Sequence, residues 1–115
     1  MNDRELLELA AKAAGYSVEW IERRVARIGA FKQMQHERRD GFVIAGKAWN
    51  PLTDDGDALR LANKLSIDIL HNWESITAQW ELGKLCREKC TDETRDETTR
   101  RAITRAAAEI GKAMP

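Results

Sequence analysis

The sequence predicts a small mixed α/β sandwich of the α+β kind, a short and largely antiparallel sheet packed with about three helices. Two observations carry that prediction. Apolar residues recur at helical spacing near both ends of the chain and again after Asp54. Between those stretches lie short apolar or alternating runs, bounded by glycine, proline and polar clusters as strands are. A chain of 115 residues suits one domain, residues 1–115, with a single modest core.

The first helix opens at Asn2, which can cap it with Glu5 reaching back, a variant of the capping box. Leu6, Ala10 and Ala13 form its stripe, Leu7, Leu9 and Ala14 widen it, and Gly15 supplies a left-handed stop. From Tyr16 to Asp40 two patterns compete. "YSVEW" alternates as a strand does, whereas Val18, Ile21, Val25, Ile28, Phe31 and Met34 recur at spacings of three and four. The expectation is a strand beginning near Tyr16, with residues 21–40 as a basic insertion or arm. "GFVIAGKAW" then reads as a strand between glycines.

"WNPLTDDGDALRLANKL" follows. Asn50-Pro51 forces an extended or turn conformation, and periodicity resumes at Ala58, Leu59, Leu61, Ala62 and Leu65. Asp54 is the expected N-cap, with Asp55 and Asp57 in the first turn, where the helix dipole favours acids by about 0.3–1 kcal/mol each. An EF-hand would require alternating ligands over about twelve residues and a terminal glutamate, which "ALRLANKL" does not provide. "SIDILHNW" and "SITAQWEL" are expected to be paired strands around a turn at Asn72 to Ser75, with Ile76, Ala78 and Trp80 buried and Thr77 and Gln79 wet. "GKLCREKCTDETRDE" reads as a charged connector with a short helix carrying both cysteines. Thr94 and Glu97 match a capping box for a last helix, whose stripe is Ile103, Ala106, Ala107, Ile110 and Met114.

Nineteen basic and nineteen acidic residues cancel, so the overall charge gives no support to non-specific nucleic-acid binding. No apolar run reaches the roughly 18–20 residues of a membrane helix. The start "MNDRELLELA" lacks the basic and apolar blocks of a secretion signal, and a cytoplasmic protein is expected. Cys86 and Cys90 suit a reducing compartment as free thiols. No metal is expected, since a zinc site needs about four ligands and the two histidines, His36 and His71, are far apart in sequence. No cofactor is expected either, and no phosphate loop or Ser-His-Asp set is recognisable. The chain is therefore read as a non-enzyme.

Three features could serve binding. Arg23, Arg24, Arg27, Lys32, Arg38 and Arg39 stand against Glu22, Glu37 and Asp40 in one segment, a local basic excess. Arg100, Arg101, Arg105 and Lys112 decorate the last helix, with Arg101, Arg105 and Lys112 on a shared face; these could contact phosphates. Of four tryptophans, Trp49 and Trp80 are expected in the core, against Leu59 and Ile76 or their neighbours. Trp20 and Trp73 adjoin polar turns, and exposed aromatics beside arginines are a frequent composition of interface anchors.

The stretch "WNPLTDDGDALRLANKL", the strand pair after it and the closing "TTRRAITRAAAEIGKAMP" together resemble small phage and prophage proteins of the phage ABA sandwich group. The likeness covers residues 2–15 and 41–115; residues 21–40 are longer than the group's pattern. It implies phage origin and a mixed α/β fold, and supplies no catalytic residues. The expected function is that of a non-catalytic phage-encoded accessory protein that binds a host protein and modulates or inhibits it. Inhibition of a bacterial defence system, anti-CRISPR action included, is one form of this. The expected contact residues are Trp20, Arg23, Arg24, Arg27, Lys32, Arg38, Arg39 and Trp73. The alternative is a nucleic-acid-binding accessory protein that uses the basic segment and the final helix.

Overall fold

Local hydrogen bonding sets the helix boundaries. The computed structural model describes residues 2–21, 41–44 and 47–115. Helix α1 runs Asp3–Ala14: Asn2 Oδ1 accepts from the Glu5 amide at 2.9 Å, and the Asn2 amide side chain reaches Glu5 Oε1 at 3.3 Å. Gly15 ends it at φ 75°, in the left-handed region. Helix α2 runs Asp55–Leu65 and is capped by Asp54, whose Oδ2 accepts from the Asp57 amide at 2.8 Å. Helix α3 runs Arg95–Ala113.

The expected capping box of α3 does not form. Thr94 is the N-cap residue but makes no side-chain cap bond. Its hydroxyl turns back to accept from the Thr91 amide at 2.9 Å, closing the preceding turn.

Among the described residues the strands form two antiparallel sheets of three. The first contains β1 (Glu19–Ile21), β2 (Gly41–Ile44) and β3 (Lys47–Trp49), in that order. The strand expected near Tyr16 thus begins at Glu19. Trp20 lies opposite Phe42, and Phe42 opposite Trp49. The second sheet contains β4 (Asp68–His71), β5 (Ser75–Glu81) and β6 (Lys84–Lys89), again in order. The mixed α+β class expected from the sequence is the one observed. Whether residues 22–40 form an insertion or arm lies outside the described residues.

β6 corrects the sequence reading, which made this segment a connector with a short helix. Its alternation has period two: Cys86 is buried and Glu88 half-buried, whereas Leu85, Arg87 and Lys89 are exposed. The β5–β6 hairpin turns through Leu82-Gly83, with Gly83 at φ 82°, a conformation that glycine adopts without a Cβ penalty.

α3 is the central element, with α1, α2 and both β5 and β6 packed on it. Ala102, Ile103, Ala106 and Ala107 of α3 share one core cluster with Leu7 and Ala10 of α1, Leu61 and Ala62 of α2, and Ile76 and Ala78 of β5. Phe42 and Trp49 bring the first sheet into the same cluster. The small residues on α1 and α3 allow close approach of the two helices, which Lys12 Nζ to the Met114 carbonyl (3.1 Å) and Arg101 to Asp3 (3.6 Å) reinforce.

Four expectations about burial change. Leu59 is 57% exposed, because the buried face of α2 is Ala58, Leu61 and Ala62. Trp80 is half-buried rather than fully enclosed. Thr77, expected wet, is buried beneath Arg87, whose Nε donates to Thr77 Oγ1 at 3.3 Å. Met114 lies past the end of α3 and is exposed, so the apolar stripe ends one turn earlier. Thr104 is fully buried within that stripe. Its hydroxyl donates to the Arg100 carbonyl at 2.8 Å, so no polar atom is stranded there.

Candidate interaction site

The aspartate cluster behind Trp49-Asn50-Pro51 is structural. Asp57 places Oδ2 on the Asn50 amide (3.0 Å) and Oδ1 on Arg60 (2.8 Å). Asp54 caps α2, and Asp55 receives Arg100 at 2.6 Å. Each carboxylate therefore has a cationic or amide partner already. The hydrogen bond that Arg60 donates to Asp57 lifts the guanidinium above its ordinary range, with Asp54 adding to the effect. A hollow of about 620 Å³ opens beside this cluster, lined in part by Tyr16, Trp49 and Lys47. The cap at Asp54 is the role the sequence assigned; the bonds of Asp57 to the Asn50 loop and of Asp55 to Arg100 are additional to it.

A second hollow, of about 750 Å³, opens beside the β4–β5 turn between Trp73, Arg87, Lys89, Cys90 and Thr91. Trp73 is 85% exposed, an unusual state for so large an apolar ring. The turn that carries it is fastened from several sides. The Asn72 amide donates to the Ser75 carbonyl at 2.9 Å, and Asn72 Oδ1 accepts from the Trp73 amide at 2.8 Å. Arg95, the first residue of α3, donates to the Asn72 carbonyl at 3.0 Å and to the Trp73 carbonyl at 3.1 Å. The Cys90 amide donates to the Glu74 carbonyl at 2.9 Å. The turn is thus bonded to both a helix end and a neighbouring strand, and the indole projects from it.

The outer face of the second sheet continues from this hollow. Leu70, Thr77 and Arg87 lie in one row across it, and Asp68, Gln79 and Leu85 in another. Leu70 and Leu85 are both exposed there. Together with Trp73 they give an apolar trace edged by Arg87 and Lys89.

The other sequence-predicted contact residues fall in three groups. Arg23, Arg24, Arg27, Lys32, Arg38 and Arg39 lie outside the described residues. Trp20 is placed by its backbone in β1, in the sheet that does not contain Trp73. On α3, Arg100 donates to the Leu52 carbonyl and to Asp55, Arg101 faces Asp3, and Arg105 binds Glu88. That last bond is the main reason the Arg105 guanidinium is held above its ordinary range. Lys112 is exposed near the helix end. Sequence reasoning missed Arg87, Lys89 and Arg95. The first two were hidden because "KLCREK" shows no apolar alternation in sequence; its period of two appears only in the burial of the folded strand. Arg95 carried no local signal, because its targets lie 22 and 23 residues away.

Burial pushes the Cys86 thiol above its ordinary range, with Arg105 pulling the other way. The folded chain then keeps that proton to a higher pH than the unfolded chain does. This contribution to stability is complete below the ordinary thiol pKa of about 8.5 and falls away as the pH rises past it. Urea unfolding between pH 7 and pH 10 should show the decline, and Cys86→Ala should make it shallower. An identical slope in the variant would remove the thiol as its source.

Among the described residues, no group of three or more His, Cys, Asp or Glu side chains is placed to hold a metal ion. Among those same residues, no helix is long and apolar enough to cross a membrane. Comparison with protein-family models, curated proteins and solved structures finds no match.

Proposed function

We propose that this chain is a non-catalytic binding protein that docks on another protein through Trp73 and the adjoining outer face of the β4–β5–β6 sheet. The observation that carries the reading is an 85% exposed tryptophan on a turn tied down by Arg95 and by the Cys90 amide. Large aromatic anchors supply much of the binding energy in protein interfaces. A turn already ordered before docking loses little conformational freedom on binding. The resemblance of the "WNPLTDDGDALRLANKL" and "TTRRAITRAAAEIGKAMP" stretches adds the context: a phage-encoded accessory protein acting on a host protein, with inhibition of a bacterial defence system, anti-CRISPR action included, as one form.

The nucleic-acid alternative has less support. It relied on the basic segment, whose cations lie outside the described residues, and on Arg100, Arg101, Arg105 and Lys112 of α3, of which the three arginines each face a carboxylate of this same chain. Phosphate contacts would have to displace those pairs.

Trp73→Ala is the direct test. The ring touches little of the fold, so the variant should unfold at the same urea concentration as the parent. Its affinity for a protein captured from bacterial lysate should drop at least about ten-fold, the cost of losing an interface anchor. Capture is run with and without nuclease. Undiminished binding by the variant would refute the Trp73 reading, and loss of every captured species on nuclease treatment would transfer the assignment to nucleic acid.

A further inference from the structure

We infer that the open edge of β6 receives an extended acidic segment of the partner protein, added to the second sheet as a fourth strand. This rests on the protein-docking reading above and names the chemistry of what docks.

The direction of the β6 backbone follows from one hydrogen bond. Cys90 donates to the Glu74 carbonyl in continuation of the Ser75–Lys89 register. In an antiparallel pair, bonded residues alternate with residues whose amide and carbonyl point away. Cys86 and Glu88 therefore face β5, and Leu85, Arg87 and Lys89 present their backbone groups on the opposite side. Among the described residues, no strand pairs with that side. Leu85, Arg87 and Lys89 are all exposed. Such an edge is a template for strand addition, in which main-chain bonds give affinity and alternate side chains give specificity.

Charge selects the occupant. Side chains on the outer face of an added strand would stand beside Arg87 and Lys89. The acid on β6, Glu88, is on the inner face and already bound by Arg105. An extended segment with Asp or Glu at alternate positions would place its acids against the two cations. A second copy of the chain is disfavoured by the same pattern. Antiparallel self-pairing centred on Arg87 sets arginine opposite arginine, and like charges directly opposite are destabilising.

The probe is a displayed library of random peptides about twelve residues long, selected against the intact chain. The expected winners carry acids at alternate positions and no central proline. Arg87→Glu with Lys89→Glu should weaken them at least about ten-fold, while circular dichroism reports an unchanged fold. Hydrogen exchange supplies the second measurement. In the unliganded chain the amides of Leu85, Arg87 and Lys89 should exchange at least about a hundred-fold faster than those of Cys86 and Glu88, and a selected peptide should slow them. Slow exchange in the unliganded chain, winners without an acidic pattern, or a dimer abolished by Arg87→Glu would each overturn the inference. Loss of partner capture by Trp73→Ala, with the β6 charge reversals silent, would leave docking intact and refute the added strand alone. Acidic peptides protecting β6 while Trp73→Ala captures normally would support the strand and refute the Trp73 reading.

Discussion

Trp49→Ala should cost the folded chain about 3–5 kcal/mol, the usual penalty for truncating a buried tryptophan. Small domains are stable by only about 5–15 kcal/mol in total, so the variant should approach the limit of folding. Trp49 is buried at the end of β3 and belongs to the cluster that includes Leu7, Phe42, Leu61 and Ile103. Its ring meets Tyr16 edge-on, with centroids 5.8 Å apart and planes at 79°. Lys64 Nζ sits 4.8 Å from the centre of that same Tyr16 ring. Removing the indole leaves a void bordered by a strand, the chain after α1 and the start of the Asn50-Pro51 turn, and backbone so placed collapses poorly into it. Trp49→Phe, which keeps an aromatic ring in the space, should recover much of the loss. Urea unfolding followed by far-ultraviolet circular dichroism would show a lower midpoint at an unchanged slope. A loss below about 1 kcal/mol would be the effect of an ordinary surface change and would remove Trp49 from the core.

Gly111→Ala is the second large effect, and it reports the contact between α1 and α3. A Cβ at position 111 would lie 2.0 Å from the Leu9 carbonyl oxygen and 2.9 Å from its carbon. These are backbone atoms, so no side chain can rotate aside. The helices would have to separate, which costs about 1–3 kcal/mol for an overpacked core. The helix-propensity gain of alanine over glycine, about 1 kcal/mol, offsets part of that penalty. Gly111→Val adds bulk without a comparable gain and should be worse. Gly56→Ala is the matched control. There the nearest neighbours of the Cβ are side-chain atoms: the Arg60 guanidinium at 3.1 Å, an end able to swing aside, and the capping Asp54 Oδ2 at 3.2 Å, which must give by a few tenths of an ångström. That substitution should change stability by no more than about 1 kcal/mol in either direction. If both alanine variants melted together, the close approach of α1 to α3 would be wrong.

The candidate site was legible in the sequence at one residue. Trp73 stood beside a polar turn, and the turn at Asn72 to Ser75 was expected from composition. The bonds of Asn72 within the turn are local, but the ties that fix the turn to the rest of the fold come from elsewhere in the chain. Arg95 reaches back from the start of α3, and the Cys90 amide reaches across from the end of β6. The terminal-helix arginines show the converse. Arg100 and Arg105 looked available from their positions, yet their carboxylate partners Asp55 and Glu88 lie 45 and 17 residues away. Sequence spacing on one helix records which residues share a face. It does not record what that face meets.

The chain by itself determined its helix starts and stops at Asn2, Gly15 and Asp54, because caps are bonds between groups a few residues apart. It also determined the α+β class, since a period of 3.6 and a period of two bury different faces. Thr94 matched a cap motif, but its hydroxyl accepts from the Thr91 amide, a competing local bond that the motif does not record. Tertiary structure decided the rest. "KLCREK" has too little apolar content to declare itself a strand; it became one because Gly83 turned it back along β5 and Arg105 neutralised its inward Glu88. Whether Leu59, Leu85 and Trp73 were covered depended on where other elements ended, and hydrophobicity along a chain carries no record of the neighbours that will remove a side chain from water.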